Sequence, residues 1–343
     1  MPTQCQCWGG GTDLSSYRHS EGFVPKESSL LRTKAGLPRR FAPRNDRVAF
    51  TLAEVLITLG IIGIVAALTM PSVINNANDR KYRGARQKAL ASIGEAVRNI
   101  TVTEGIGNAT NAEDFVENHL RKQIQIVKTC KNNDLRSCGI ETNSNSITTL
   151  SEPKKKMTMP TKIGDLAVGI STPGAIIDSN STSYGFIMSN GYSVNLFYNP
   201  NCMSDNKDAN HLAQDRVCVN AIYDMNGLAR PNEVGKDIGF VTVIYPDIAV
   251  QAVAPDVYKQ LAGRATFDSA YELCQTQNKD LAVPNRDELL SMYFNMNLIG
   301  FPENGYWSAS EATAEFGWYQ GTTYGDRGRG AKSSGNAVWC IRR

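Results

Sequence analysis

The chain has 343 residues, which is enough for two or three domains. Its hydrophobic content of 41% and charged content of 20% exclude an intrinsically disordered protein. The net charge of +3 is uneven, because residues 1–49 carry eight Lys and Arg against four Asp and Glu, which leaves 28 against 29 in the remainder. A body so close to neutral lacks the basic surface of a nucleic-acid-binding protein, and no nucleic acid is expected among the partners.

Residues 1–49 form a leader without clear periodicity. Two interpretations are open, namely a genuine cytoplasmic extension and a start codon assigned too far upstream. The basic residues at its end directly precede an apolar run and predict that the N-terminus stays in the cytoplasm. They are Arg39, Arg40, Arg44 and Arg47.

The apolar run extends from Phe50 to Met70 and contains one ionisable residue, Glu54. A run of this length crosses the hydrocarbon of a bilayer as a helix. A plain signal anchor is one interpretation, whereas a cleaved secretory signal would need a shorter core and a small-x-small cleavage site. A carboxylate inside such a span costs a few kcal/mol on insertion scales, so Glu54 is expected to have a function.

Beyond Pro71, apolar residues recur at three- and four-residue spacing among Lys and Arg, which predicts an amphipathic helix. The predicted helix therefore covers residues 50–100, with a transmembrane part at 50–70. Proline lacks an N–H and clashes with the preceding turn, so a kink or local melting is expected at Pro71.

The stretch Ala49-Phe50-Thr-Leu-Ala-Glu54-Val-Leu-Ile57 resembles the class III signal of type IV prepilins and type II secretion pseudopilins. The resemblance implies that a prepilin peptidase and methyltransferase cuts before Phe50 and methylates the new amino group. It also implies that Glu54 and Pro71 serve assembly, and that the partners are other pilin subunits and an inner-membrane assembly platform. The implied location is a single pass through the inner membrane, followed by a surface filament. Ala49 departs from the pattern, because the family usually has Gly before the cut.

Cleavage before Phe50 would create a positive amino group close to the carboxylate of Glu54. The Glu54 carboxylate of one subunit can then neutralise the amino group of a neighbour in a medium of low dielectric constant. A buried ion pair adds little stability but penalises every stagger that leaves it unpaired. Glu54 is therefore predicted to set the register of assembly.

Short strand-like runs alternate with polar loops over the predicted globular head, residues 101–250. The runs 183–189 and 192–198 flank Asn190-Gly191, a strong signal for a hairpin turn. Further strands are predicted at 217–223 and 240–245. A long helix followed by an antiparallel sheet predicts the α+β class.

Six cysteines follow the leader, an even number that predicts disulfides outside the cytoplasm. Six thiols allow fifteen pairings, and proximity in sequence favours Cys130–Cys138 and Cys202–Cys218. A zinc site fits poorly, because these cysteines contain no Cys-x-x-Cys motif.

The loop from Asp224 to Asp237 carries oxygen side chains at alternating positions beside glycine, including Asn226. Such side chains suit Ca²⁺, and a related loop binds calcium in some secretion pseudopilins. The other interpretation is a polar turn that uses Asn and Gly for backbone reasons. No other cofactor is expected.

Residues 251–262 are predicted to be a linker, and three blocks in residues 263–343 resemble a bacterial C-type-lectin-like module. The blocks are Leu281-Ala-Val-Pro-Asn-Arg-Asp-Glu-Leu289, Gly305-Tyr-Trp-Ser-Ala-Ser-Glu311 and Ala337-Val-Trp-Cys-Ile-Arg342. The resemblance implies a disulfide between Cys274 and Cys340 and a module that folds on its own core. Its tryptophans, Trp307, Trp318 and Trp339, are expected in that core.

The sugar-and-calcium motifs of C-type lectins, Glu-Pro-Asn and Trp-Asn-Asp, are absent from the sequence. An unidentified surface ligand is expected instead, with Arg327, Arg329 and Lys332 as candidate contacts in a basic, glycine-rich turn. A merely solvated loop is the alternative for these residues. The sequence as a whole predicts a structural, non-enzymatic pilin-like subunit, placed at the tip or in small number and acting in adhesion. A secretion pseudopilin that contacts cargo and a membrane-anchored enzyme are the alternatives.

Overall fold

The structure, a computed structural model, describes residues 51–170, 172, 174–203, 212–245 and 249–343. The leader and the predicted cleavage residues Ala49 and Phe50 lie outside this part of the chain. The fold is mixed α+β with antiparallel sheets, which confirms the predicted class. Residues 1–60 and 61–343 form two compact units.

The helices and strands follow one another along the chain with short connections. The α-helices are α1 (Leu52–Thr103), α2 (Ala112–Asp114), α3 (Arg121–Gln123), α4 (Phe267–Gln277), α5 (Arg286–Phe294) and α6 (Met296–Ile299), with a π-helical segment Phe115–Leu120 between α2 and α3. Strands of the first half are β1 (Ile126–Cys130), β2 (Ile147–Thr148), β3 (Lys156–Met157), β4 (Tyr184–Met188), β5 (Ser193–Tyr198), β6 (Val217–Asp224) and β7 (Ile238–Ile244). Those of the second half are β8 (Gln251–Val253), β9 (Asp256–Ala265), β10 (Leu281–Ala282), β11 (Gly305–Glu311), β12 (Phe316–Gly321), β13 (Arg327–Ala331) and β14 (Asn336–Arg342).

Helix α1 is 52 residues long, and it alone in the described part of the chain is long and apolar enough to cross a membrane. Its most apolar 18-residue window has a mean hydropathy of 2.3, and none of that window is buried. The helix continues through Pro71, so the melting expected there is absent. Proline removes only one hydrogen bond from the ladder, and the turns on either side remain helical.

The second half of α1 packs on one face of a six-stranded antiparallel sheet, in the order β1-β4-β5-β6-β7-β8. Its buried residues are Ala85, Ala89, Ile93, Gly94, Ala96, Val97 and Ile100. Gly94 allows the closest approach, because a Cβ added there would lie 2.6 Å from the Cβ of Ala252 in β8. The alternating residues Val219, Ala221 and Tyr223 of β6 share this core with α1. Small residues on the helix therefore let it lie directly on the head sheet.

The opposite face of the same sheet is covered by α5 and α6 from the C-terminal part of the chain. Phe240 and Ile244 of β7 lie in one hydrophobic core with Leu290, Tyr293 and other residues of α5 and α6. The Oη of Tyr293 also donates a hydrogen bond to the carbonyl of Val168, at 2.9 Å. The head and the C-terminal module therefore share a core.

A closed network of buried polar side chains lies inside this shared core. Asn220 of β6 and Asn295 exchange two hydrogen bonds, of 2.9 and 3.0 Å. Thr242 Oγ1 of β7 donates to Asn220 at 2.8 Å and accepts from Ser291 Oγ of α5 at 2.7 Å. All four residues are at most 1% exposed. Complete pairing makes such a network specific for one arrangement of the head and the module.

The second sheet runs β10-β14-β11-β12-β13, with β9 paired along the other side of β14. The segment predicted as a linker therefore differs from the structure, since β8 and β9 occupy most of residues 251–262. Only residues 254 and 255 separate these two strands. Helix α5 begins with the predicted capping box, in which Asn285 Oδ1 accepts the Glu288 N–H at 2.8 Å.

Candidate functional site

Glu54 lies in the first turn of α1 and bonds to Thr51. Its Oε2 accepts the Thr51 N–H at 2.9 Å and the Thr51 hydroxyl at 3.0 Å, while its own N–H donates to Thr51 Oγ1 at 3.2 Å. This reciprocal arrangement is a capping box. The sequence analysis assigned Glu54 to contacts between subunits only and missed the cap, although Thr three residues before Glu signals it. Both side chains are exposed in the single chain, so a neighbour can reach the carboxylate.

The loop between β6 and β7 holds the three residues predicted for calcium. Asp237 accepts the backbone N–H groups of Asn232 and Glu233, both at 2.8 Å. Asp224 Oδ1 accepts the N–H of Asn226 at 3.0 Å, and the Asn226 amide donates to the carbonyl of Arg230. These bonds are those of a polar turn, and within the described residues no three His, Cys, Asp or Glu side chains are placed to hold a metal ion.

One oxygen of this loop stands apart from that pattern. Asp224 Oδ2 is buried and has no hydrogen-bond partner. Burial raises the pKa of Asp224 to about 7, and the negative charge of Asp237 contributes. Asp224 thus takes up a proton more readily than an exposed aspartate, and a cation at Oδ2 would relieve the same cost.

We expect the stability of the protein to fall as pH rises from about 4 to about 7, because the folded state holds the Asp224 proton that the unfolded state has lost. The upper bound is about 4 kcal/mol across that window. Asp224→Asn keeps the acceptor for Asn226 and removes the charge. The variant should therefore unfold at higher denaturant than the wild type at pH 8 and at the same denaturant at pH 4.

Asp134→Asn, at an exposed aspartate, is the matched control and should leave the pH profile of unfolding unchanged. An identical pH dependence in the wild type and Asp224→Asn would contradict the expectation. Calcium provides the second arm of the experiment. Stabilisation of the wild type by Ca²⁺ at pH 8, lost in Asp224→Asn, would favour the metal site over the polar turn.

The structure contains three disulfides among the described residues, Cys130–Cys138, Cys202–Cys218 and Cys274–Cys340. These pairs are the predicted ones. The third joins α4 to β14 with a Cα–Cα distance of 5.8 Å, which is ordinary for a disulfide. It closes the C-terminal module across 66 residues of sequence.

The three basic residues predicted to contact a ligand have different surroundings. Arg327 has a side chain only 12% exposed, and it donates to the carbonyl of Arg286. Lys332 pairs with Glu311 at 2.9 Å and lies over the ring of Phe267. Arg329 is exposed. Of the three, Arg329 is therefore the best placed to meet a ligand.

Trp318 differs from the other two tryptophans of the module. Trp307 and Trp339 are at most 2% exposed, as expected for core residues, whereas Trp318 is only half-buried. The guanidinium carbons of Arg286 and Arg329 both lie 5.3 Å from the centre of its ring. The sequence analysis missed this aromatic–arginine cluster, because strand alternation in a Gly-rich segment does not reveal which aromatic residue faces outward.

The described residues thus offer an exposed apolar helix with a charged first turn, a polar loop with one buried carboxylate, and a basic aromatic face on the module. No protein-family model matches the chain, and no curated protein matches it.

Proposed function

We propose that the protein is a structural, non-enzymatic pilin-like subunit of a type IV pilus-like filament. The observation that carries the proposal is α1, whose apolar half is exposed while its amphipathic half packs on an antiparallel sheet. An exposed apolar stretch of this length needs lipid or other apolar helices around it. Neighbouring copies of the same helix would supply such surroundings in a filament.

The C-terminal module favours a position at the tip or in small number. It adds a second sheet and covers the face of the head sheet that α1 leaves free. A subunit this bulky would crowd a shaft built throughout from the same chain. The lectin-like resemblance of the module and its basic aromatic face support adhesion as the role of the displayed part.

A secretion pseudopilin that contacts cargo is the second candidate, supported by the same helix and by the resemblance of the signal. Deletion of the gene separates the two, because a pseudopilin is needed for release of secreted proteins and a tip adhesin for attachment to surfaces. A membrane-anchored enzyme is the candidate of another class. Retained catalysis by a purified chain would favour it.

The intact mass of the purified protein tests the processing step of this proposal. In cells that contain the peptidase, we expect a chain that begins at Phe50, carries one additional methyl group, and lacks two hydrogens for each of its three disulfides. Ala49→Gly restores the residue usual in the family and should be cleaved at least as fast. An intact leader in both proteins would leave only a signal anchor.

A further inference from the structure

The exposed face of strands β12 and β13 carries a cluster of one tryptophan and two arginines. Trp318 of β12 lies directly opposite Arg329 of β13 in the sheet register, and Arg286 reaches the same ring from the start of α5. Gly328 and Gly330 occupy the alternate positions of β13, where a Cβ would meet the rings of Tyr319 and Trp307. The glycines let the strand pack closely inward while its arginines stay on the outer side.

Positive charge is in excess at this cluster. Arg286 and Arg327 both reach the Asp287 carboxylate, at 3.9 Å each, so one negative charge serves two cations. Arg329 adds a third cation, and among the described residues its recorded contact is the ring of Trp318. By contrast, Lys332 at the far end of the strand is paired with Glu311. The excess charge is therefore local to the Trp318 face.

The stacking on Trp318 also restrains the two guanidinium groups. An arginine held over an aromatic ring loses less side-chain entropy when it binds an anion than a freely moving one. Both groups lie 5.3 Å from the same ring centre, so they can engage neighbouring anionic groups of one ligand. Arginine binds carboxylate and sulfate through two parallel hydrogen bonds, which lysine cannot do.

We propose that Arg286, Trp318 and Arg329 form a binding site for an acidic polysaccharide. Arg327 and Arg329 stand two residues apart on one strand, about 7 Å along its axis, which suits acidic groups repeated along a polymer. The indole supplies an apolar surface for the C–H face of a sugar ring beside the cations. Nucleic acid fits less well, because the chain after residue 49 carries 28 basic against 29 acidic residues.

The site rests on the proposed function only in requiring that this face lie outside the cell. The test uses the full chain in detergent micelles, with polygalacturonate as the carboxylated probe and heparin as the sulfated one. Dextran is the neutral control, and polyglutamate and single-stranded DNA are the anionic controls. We expect binding to one or both acidic polysaccharides, weakening as salt rises, and no binding to dextran.

Arg329→Gln and Trp318→Leu should each weaken that binding about tenfold or more. Lys332→Gln is the matched control, because it removes a nearby charge that is already paired, and it should bind like the wild type. Thermal unfolding of Arg329→Gln should be unchanged, since the side chain is exposed.

Four results would each overturn the site: equal binding by Arg329→Gln, equal binding to dextran, tighter binding to polyglutamate or DNA, or no binding to either acidic polysaccharide. The amount of Arg329→Gln in sheared surface filaments separates this failure from that of the proposed function. A normal amount in filaments with no polysaccharide binding would reject the site and leave the filament role intact.

Discussion

Glu54→Gln should insert into the membrane normally and fail to enter filaments. Glutamine can replace glutamate in a capping box, so the bonds to Thr51 and the start of α1 should persist. The charge that would neutralise the amino group of a neighbouring Phe50 is lost. A buried ion left without its partner costs about 3–5 kcal/mol. Incorporation into filaments should therefore fall by about two orders of magnitude or more.

Thr51→Val is the matched control, because it removes the hydroxyl of the cap and retains the charge of Glu54. Loss of a cap costs about 1 kcal/mol, which is too little to stop assembly. Immunoblots of sheared filaments and of the membrane fraction measure both variants. Normal filament levels for Glu54→Gln, together with low levels for Thr51→Val, would show that Glu54 acts as a cap and that its charge is dispensable.

Asn220→Leu, a change in the head, should destabilise the C-terminal module to the same extent as the head. The substitution leaves the buried amide of Asn295 and the hydroxyl of Thr242 without their partner. Each unsatisfied buried group costs about 1–3 kcal/mol. Because the head and the module share one core, that loss should lower a single unfolding transition of both.

Tryptophan fluorescence reports the module, because all tryptophans except Trp8 lie beyond residue 300. With Trp8 replaced by Phe, the fluorescence midpoint in urea should shift as far as the hydrogen-exchange protection of β5 and β6. Asn99→Ala, at an exposed asparagine of α1, is the control and should shift neither. A fluorescence transition that stays in place while the head unfolds earlier would support the independent folding that the sequence predicts.

Local patterns predicted the elements whose signals lie close together in the chain. The turn at Asn190-Gly191, with Gly191 at φ 86°, and the capping box of α5 are such cases. Both depend on residues at most three positions apart, so propensity and hydrogen bonding act before tertiary structure does.

Features that depend on distant residues did not follow from the sequence. Asn220 and Asn295 are 75 residues apart, and each reads as an ordinary loop or strand asparagine until the fold brings them together. Residues 251–262 were predicted to be a linker, because proline and alanine weaken the strand signal there. Pairing with β7 and β14 overrides that weak propensity.

The two-residue connection between β8 and β9 has a mechanical consequence. Val253 ends a strand of the head sheet, and Asp256 begins a strand of the second sheet, so the connection contains almost no slack. Asp256 also accepts an ion pair from Arg86 of α1, at 2.7 Å. Tension that enters through α1 therefore reaches the second sheet without first extending a tether, and a pull on the module is felt at the filament almost undamped.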